Sequence, residues 1–137
     1  MSILVGRKAP DFTAAAVLGN GEIIENYQLS NAIKNKYGLI VFYPLDFTFV
    51  CPSELIALHN RLDEFKNRNV EVIAVSIDSQ FTHHAWRNTA VDNGGIGEVG
   101  YTMVADVTHP ICQAYGVEHP TAGVAFRGTF LIDEQGV

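Results

Sequence analysis

Leu39-Ile40-Val41-Phe42-Tyr43-Pro44-Leu45-Asp46-Phe47-Thr48-Phe49-Val50-Cys51-Pro52-Ser53-Glu54 decides how this chain reads. Its first five residues form a continuous apolar run, the pattern of a central strand covered on both faces. Pro44 cannot donate to a sheet ladder and ends the strand. Downstream, Leu55, Leu58, Leu62 and Phe65 recur at spacings of three and four, with Arg61, Asp63, Glu64 and Lys66 mostly on the other faces. That spacing predicts an amphipathic helix, with Asn69 marking its end. Pro52 suits a first helical turn. Cys51 therefore falls between the end of a strand and the start of a helix, where open α/β sheets place their sites.

The pattern repeats outward. Gly19-Asn20-Gly21, between apolar stretches within residues 10 to 30, signals an N-terminal β-hairpin. Val70 to Ile77 reads as a second buried strand. Phe81 to Asn93 reads as a helix closed by Gly94-Gly95. Tyr101 to Ala105 is a short strand, Pro110 to Tyr115 a short helix stopped by Gly116, and Phe126 to Ile132 a last strand. Strands alternating with helices imply an α/β protein with a parallel or mixed sheet and right-handed crossovers. Asp133-Glu134-Gln135-Gly136-Val137 reads as a hairpin turn whose second strand lies beyond Val137.

The 137 residues fit one domain. With 47% hydrophobic and 18% charged residues the chain can bury a core, which excludes a disordered protein. The net charge is −6, from 9 Lys and Arg against 15 Asp and Glu. That balance argues against nucleic acid and against a polybasic membrane contact. No apolar run is long enough to span a bilayer. Arg7 and Lys8 follow a short apolar stretch, the reverse of a signal peptide's order, so the expectation is a cytoplasmic protein. Cys51 and Cys112, with 60 residues between them, form neither a CxxC pair nor a zinc knuckle. Each is open to two readings, a buried filler or a reactive thiol.

The surroundings of Cys51 favour reactivity. Lowering a thiol pKa from ~8.5 to ~6 takes about 3.4 kcal/mol. A helix N-terminus supplies roughly 0.3–1 kcal/mol and at most about 2. Glu54, in the same turn, works against it, so a nearby cation is required. Arg127, in Phe126-Arg127-Gly128-Thr129-Phe130, is the best candidate, with Glu54 able to hold it in place. Raising the thiolate fraction is not enough for a fast reaction, because lower basicity also reduces nucleophilicity. Fixed donors must stabilise charge developing on the group that the sulfur attacks, and the Thr48 hydroxyl and the Arg127 guanidinium are suitable. Pro44 is placed to wall the pocket.

Pro44-x-x-x-Thr48-x-x-Cys51 resembles the active-site signature of peroxiredoxins. Phe47 to Glu54 is similar to the typical 2-Cys subfamily, which includes bacterial alkyl hydroperoxide reductase C. Val75-Ser76-Ile77-Asp78-Ser79, Thr82-His83-x-Ala85-Trp86 and Phe126-Arg127-Gly128 match in order. The resemblance implies a thioredoxin-like fold, a central mixed sheet flanked by helices. It implies a peroxidatic Cys51 that passes through a sulfenic acid, Thr48 and Arg127 polarising the peroxide, Pro44 shielding the sulfur and Glu54 orienting the arginine. No metal or other cofactor is implied. The reductant would be thioredoxin or a dedicated flavoprotein disulfide reductase, and the assembly a homodimer or a ring of dimers. The family's C-terminal strand, helix and resolving-cysteine arm are expected to lie beyond residues 1–137. Gly94-Gly95-Ile96-Gly97 resembles the Gly-Gly-Leu-Gly loop of hyperoxidation-sensitive members.

Other residues read blandly. Cys112 is a small apolar residue on a helix. His83 and His84 are adjacent and form no His-x₃-His or HExxH pair, so they are expected at the surface or in supporting roles. Trp86 is expected to pack near the site. The competing function is a non-enzymatic peroxide sensor or holdase-type assembly on the same fold. A thioredoxin-type disulfide reductase is disfavoured because Cys51-Pro52-Ser53-Glu54 lacks a second cysteine.

Overall fold

The structure is a computed structural model and describes residues 3–48 and 52–137; Cys51 lies outside the described residues. A hairpin of β1 (Thr13–Val17) and β2 (Ile23–Gln28) opens the chain, as the Gly19-Asn20-Gly21 turn predicts. It is followed by α1 (Leu29–Ala32), β3 (Tyr37–Phe42), α2 (Pro52–Asn60), α3 (Leu62–Asn67) and β4 (Val70–Ser76). Then come α4 (Gln80–Arg87), a 3₁₀ turn (Val91–Asn93), β5 (Thr102–Ala105), α5 (Pro110–Ala114) and β6 (Gly128–Ile132).

The six strands form one mixed sheet in the order β2-β1-β5-β4-β3-β6. β3 pairs in parallel with β4, and β4 with β5. β1 and β6 join antiparallel to β5 and β3. Alternation along the central strands sends side chains to two cores. Ile40, Phe42, Ile73 and Val75 enter one, with Ile111, Cys112 and Tyr115 from the α5 side. Tyr43, Val72, Ala74 and Met103 enter the other, with Leu55, Leu62 and Trp86. This is why β3 and β4 read as unbroken apolar runs: both faces are covered.

Three boundaries differ from the sequence expectation. The helix across Leu55 to Phe65 is two helices that meet at Arg61, whose φ of −108° and ψ of 13° leave the helical range. Leu55 and Leu62 remain on the buried side, so the apolar spacing persists through the break. The helix from Phe81 stops at Arg87 and does not reach Asn93. Arg87 turns inward there, donating to the carbonyls of Val17, Gly19, Val99 and Tyr101. The last strand begins at Gly128, leaving Phe126 and Arg127 in the preceding segment. The Asp133–Val137 turn closes on itself, with Val137 O accepting from Asp133 N at 2.8 Å.

The Gly94–Gly97 loop is built around close approach. A Cβ on Gly95 would lie 1.9 Å from the Thr89 carbonyl oxygen, and Gly94 caps the 3₁₀ turn at φ 88°. Trp86 Nε1 donates to Gly94 O at 3.0 Å, so the loop is fastened to α4. Gly95→Ala is expected to lower stability by about 2 kcal/mol or more through this backbone collision. Gly123→Ala, at φ 69° with open space around it, bears only the left-handed penalty of roughly 1–2 kcal/mol. Urea midpoints of the two variants check the ranking.

Candidate active site

The pairing that builds the site is antiparallel. Phe42, the last residue of β3, lies opposite Gly128, the first of β6. Arg127 therefore arrives beside the carboxyl end of β3. Glu54, in the first turn of α2, meets it there: Arg127 Nη1 donates to Glu54 Oε2 at 3.0 Å. With Arg127 and Glu54 side chains 36% and 57% exposed, the pair adds little to stability, within about 1 kcal/mol. Its consequence is orientation, because a guanidinium held by a carboxylate keeps its remaining N–H groups aimed.

Pro44 and Thr48 stand on the loop that leaves β3, both partly buried. Thr48 Oγ1 donates to Leu45 O at 3.3 Å, which turns the hydroxyl back over the loop. Cys51 immediately precedes Pro52, the first residue of α2. The structure thus brings Arg127 to Glu54 as the sequence suggests and places Pro44 and Thr48 on the strand-end loop.

Beneath that loop lies a network that the motif reading missed. Asp46 is buried, and its Oδ1 accepts from the Tyr43 hydroxyl at 2.5 Å. Its Oδ2 faces His83 Nδ1 at 2.6 Å, and His83 Nε2 faces Val104 O at 2.9 Å. The Asp46 backbone N–H donates to Asp78 Oδ2 at 2.7 Å, and the Ser76 hydroxyl donates to the same oxygen at 2.9 Å. Burial, then the neighbouring Asp46 charge, push the Asp78 carboxyl up from its usual range, against the hydrogen bonds that it accepts. Burial and Asp46 together push the Tyr43 phenol well above its ordinary value, so it stays a donor. Phe47 adopts φ 59°, an unusual left-handed conformation for a non-glycine residue, and its ring packs 6.0 Å from Trp86.

Of the two places expected for His83, the surface or a supporting role, the structure excludes the surface: its side chain is fully buried. Ser79 caps α4 by accepting from Thr82 N, and His83 and Trp86 share the inner face of the helix while His84 is less covered. A buried polar group is costly unless partnered, and His83 has its partner in Asp46.

Cys112 sits on α5 with no exposed surface, as its bland reading expects. Burial first, then its hydrogen bond and charge interaction with Asp106, push the Cys112 thiol up to about 12. Asp106 accepts from the backbone N–H groups of Ile111 and Cys112, fixing the start of α5. Among the described residues, His109, Cys112 and Glu118 are a group of potential metal ligands within 4.8 Å of one another. They are engaged with each other and with the backbone: His109 Nδ1 meets Glu118 Oε2 at 2.7 Å, and the Cys112 thiol points at His109 O.

A mixed α/β sheet with a strand-end loop, a cysteine that precedes a helix in sequence and an Arg–Glu pair beside the end of that strand defines a thiol-active class. The family model described as AhpC/TSA family matches residues 5–137. Alkyl hydroperoxide reductase C of Buchnera aphidicola subsp. Baizongia pistaciae is 51% identical over 135 residues, which cover 98% of this chain and 68% of that protein. Peroxiredoxin-1 of Gallus gallus is 47% identical over 133 residues, covering 97% and 66%. The reduced 2-Cys peroxiredoxin of Plasmodium vivax superimposes with a TM-score of 0.93 at 46% identity, covering 98% of this chain and 82% of that one. The chain belongs to the AhpC/TSA family and is a peroxiredoxin.

The Cys112 environment has a measurable consequence. A thiol held protonated in the fold ionises more readily once unfolded, near its ordinary value of 9.0. The stabilisation is complete below that pH and declines as pH rises from about 9 toward 12. Iodoacetamide at pH 8 should leave Cys112 unmodified in the native protein and label it in urea, read by peptide mass. Native-state labelling at the urea rate would contradict its burial.

Proposed function

We propose that this chain reduces hydrogen peroxide and alkyl hydroperoxides through Cys51, the observation that carries the reading being the Arg127–Glu54 pair at the carboxyl end of β3, where the loop that bears Thr48 begins. The chain is a thiol-dependent peroxidase. The Cys51 thiolate attacks one peroxide oxygen, an S–O bond forms and the O–O bond breaks. The leaving alkoxide or hydroxide takes a proton and departs as alcohol or water, and Cys51 becomes a sulfenic acid. The Arg127 guanidinium supplies donors for charge developing on the oxygens, the Thr48 hydroxyl turns its one proton from Leu45 O onto the peroxide, and Pro44 limits water.

A second thiol then condenses with the sulfenic acid, releasing water and forming a disulfide. A dithiol reductant, thioredoxin or a dedicated flavoprotein disulfide reductase, returns both sulfurs to thiols. Cys112 is buried and its thiol held protonated, so it does not serve as the resolving group. Relatives named as 2-Cys peroxiredoxins support an oligomer, and within this reading the unit is a homodimer or a ring of dimers. The same reading puts the protein in the cytoplasm, where dithiol reductants are supplied. Relatives named as reductases and peroxiredoxins favour an enzyme over a sensor or holdase.

A single stoichiometric dose of hydrogen peroxide in the presence of a sulfenic-acid trap should add the trap's mass to the wild type and not to Cys51→Ser. An adduct that persists in Cys51→Ser would move the nucleophile elsewhere. Arg127→Lys keeps the charge and loses the fork, and should slow trapping on the order of 100-fold. Glu54→Gln should slow it less and leave the urea midpoint nearly unchanged, because the ion pair is exposed.

A further inference from the structure

The buried network under the loop has a proton inventory that its geometry fixes. Val104 O has no proton to give, so at 2.9 Å His83 Nε2 must be the donor. That assigns the ring tautomer from its partners. At 2.6 Å, Nδ1 and the Asp46 carboxylate oxygen also need a proton between them, on one atom or the other. The second Asp46 oxygen is already occupied as the acceptor of the Tyr43 hydroxyl. His83 and Asp46 therefore hold one proton more than a neutral imidazole and a free carboxylate would. Neither side chain has any exposed surface, so water does not substitute for either partner.

Five contacts converge on Asp46, Phe47 and Thr48. The Asp46 carboxylate is held by Tyr43 from the end of β3 and by His83 from α4. The Asp46 N–H is held by Asp78 after β4. The Phe47 ring rests on Trp86, three residues beyond His83 on α4. Thr48 closes the turn onto Leu45 O. A left-handed Phe47 costs free energy of its own and persists only where its surroundings over-determine it. Deleting the carboxylate releases Tyr43 and His83 together and leaves the Asp78 and Trp86 contacts to hold a strained turn.

We propose that His83 and Asp46 are positioning residues for the peroxidase reaction: their proton-sharing pair fixes the strand-end loop and so sets the Thr48 hydroxyl. The inference rests on the peroxidase reading above. Neither residue touches peroxide; both act through Thr48. A displacement of about 1 Å at a reacting group costs on the order of 100-fold in rate, so a loosened loop is visible kinetically.

The test is a double-mutant cycle on trapping of Cys51 by hydrogen peroxide, with Asp46→Ala, Thr48→Val and the pair. Asp46→Ala removes the carboxylate that Tyr43 and His83 share. Each single variant is expected to slow the reaction by about 10–100-fold. The pair should be scarcely slower than Thr48→Val alone, because the lost contact acts through the same hydroxyl. Asp46→Asn can accept from Tyr43 and donate to a neutral His83, and should restore the rate to within a few-fold of wild type. Additive losses, or an Asp46→Ala rate equal to wild type, would overturn the proposal while leaving Cys51 chemistry intact. A wild type without Cys51-dependent trapping would instead remove the peroxidase reading. Nitrogen-15 NMR of the His83 ring in the wild type gives a readout independent of any variant's folding. A protonated Nε2 and a proton shared at Nδ1 are expected, and an unprotonated Nε2 would refute the assignment.

Discussion

The antiparallel alignment of β6 with β3, Phe42 opposite Gly128, is the constraint on which the site depends. Parallel β3 and β4 alone would give a sheet edge with a loop and a helix N-terminus but no cation. Antiparallel entry of β6 makes its first residues neighbours of the last residues of β3, and Arg127 comes with them. A shift of one residue in that register would move Arg127 away from Glu54 and turn the β6 side chains to the opposite face. Two fillers hold it: Phe130 packs against Phe42 at 5.7 Å and against Tyr115 at 5.2 Å, and Tyr115 against Phe42 at 5.4 Å. Such pairs are each worth about 0.5–1.5 kcal/mol beyond their burial. Core packing thus fixes the position of a charged group that contributes almost nothing to stability itself.

Three polar clusters among the described residues handle charge differently. Arg127 and Glu54 remain partly open to water, where their attraction is screened. Arg87 is buried, and backbone carbonyls from the β1 turn and the segment before β5 stand in for its water. Burial pulls its pKa down, yet an arginine so solvated by dipoles remains a cation. Asp46 and His83 are buried with each other, and removing one partner alone leaves an uncompensated polar group. The screened pair stands beside the carboxyl end of β3, the Asp46–His83 pair lies under the loop that leaves it, and Arg87 ties α4 to the other end of the sheet.

Much of this was legible in the chain because the relevant signals are local. Leu39 to Tyr43 is apolar on every residue since both faces of β3 are covered, and Gly19-Asn20-Gly21 lies at a turn. The Arg127–Glu54 pairing was readable from an arginine out of place beside an apolar strand. The break at Arg61 was not readable, because apolar residues at spacings of three and four continue through it. The early end of α4 follows from carbonyls that Arg87 meets up to 70 residues away in sequence. The choice between a surface and a supporting place for His83 stayed open for the same reason: its partner Asp46 is 37 residues distant.

The two cysteines show why residue type decides little. Cys112 sits in a capped helix start whose Asp106 carboxylate satisfies two backbone N–H groups and, being negative, opposes a thiolate. An anionic sulfur there would lose water and meet a like charge together. Around Cys51 the sequence offers the reverse ingredients: a following helix, an arginine fixed by an acid, and a hydroxyl three residues back. The difference between the two cysteines lies in these neighbours, which the sequence places around each thiol, and not in the thiol itself.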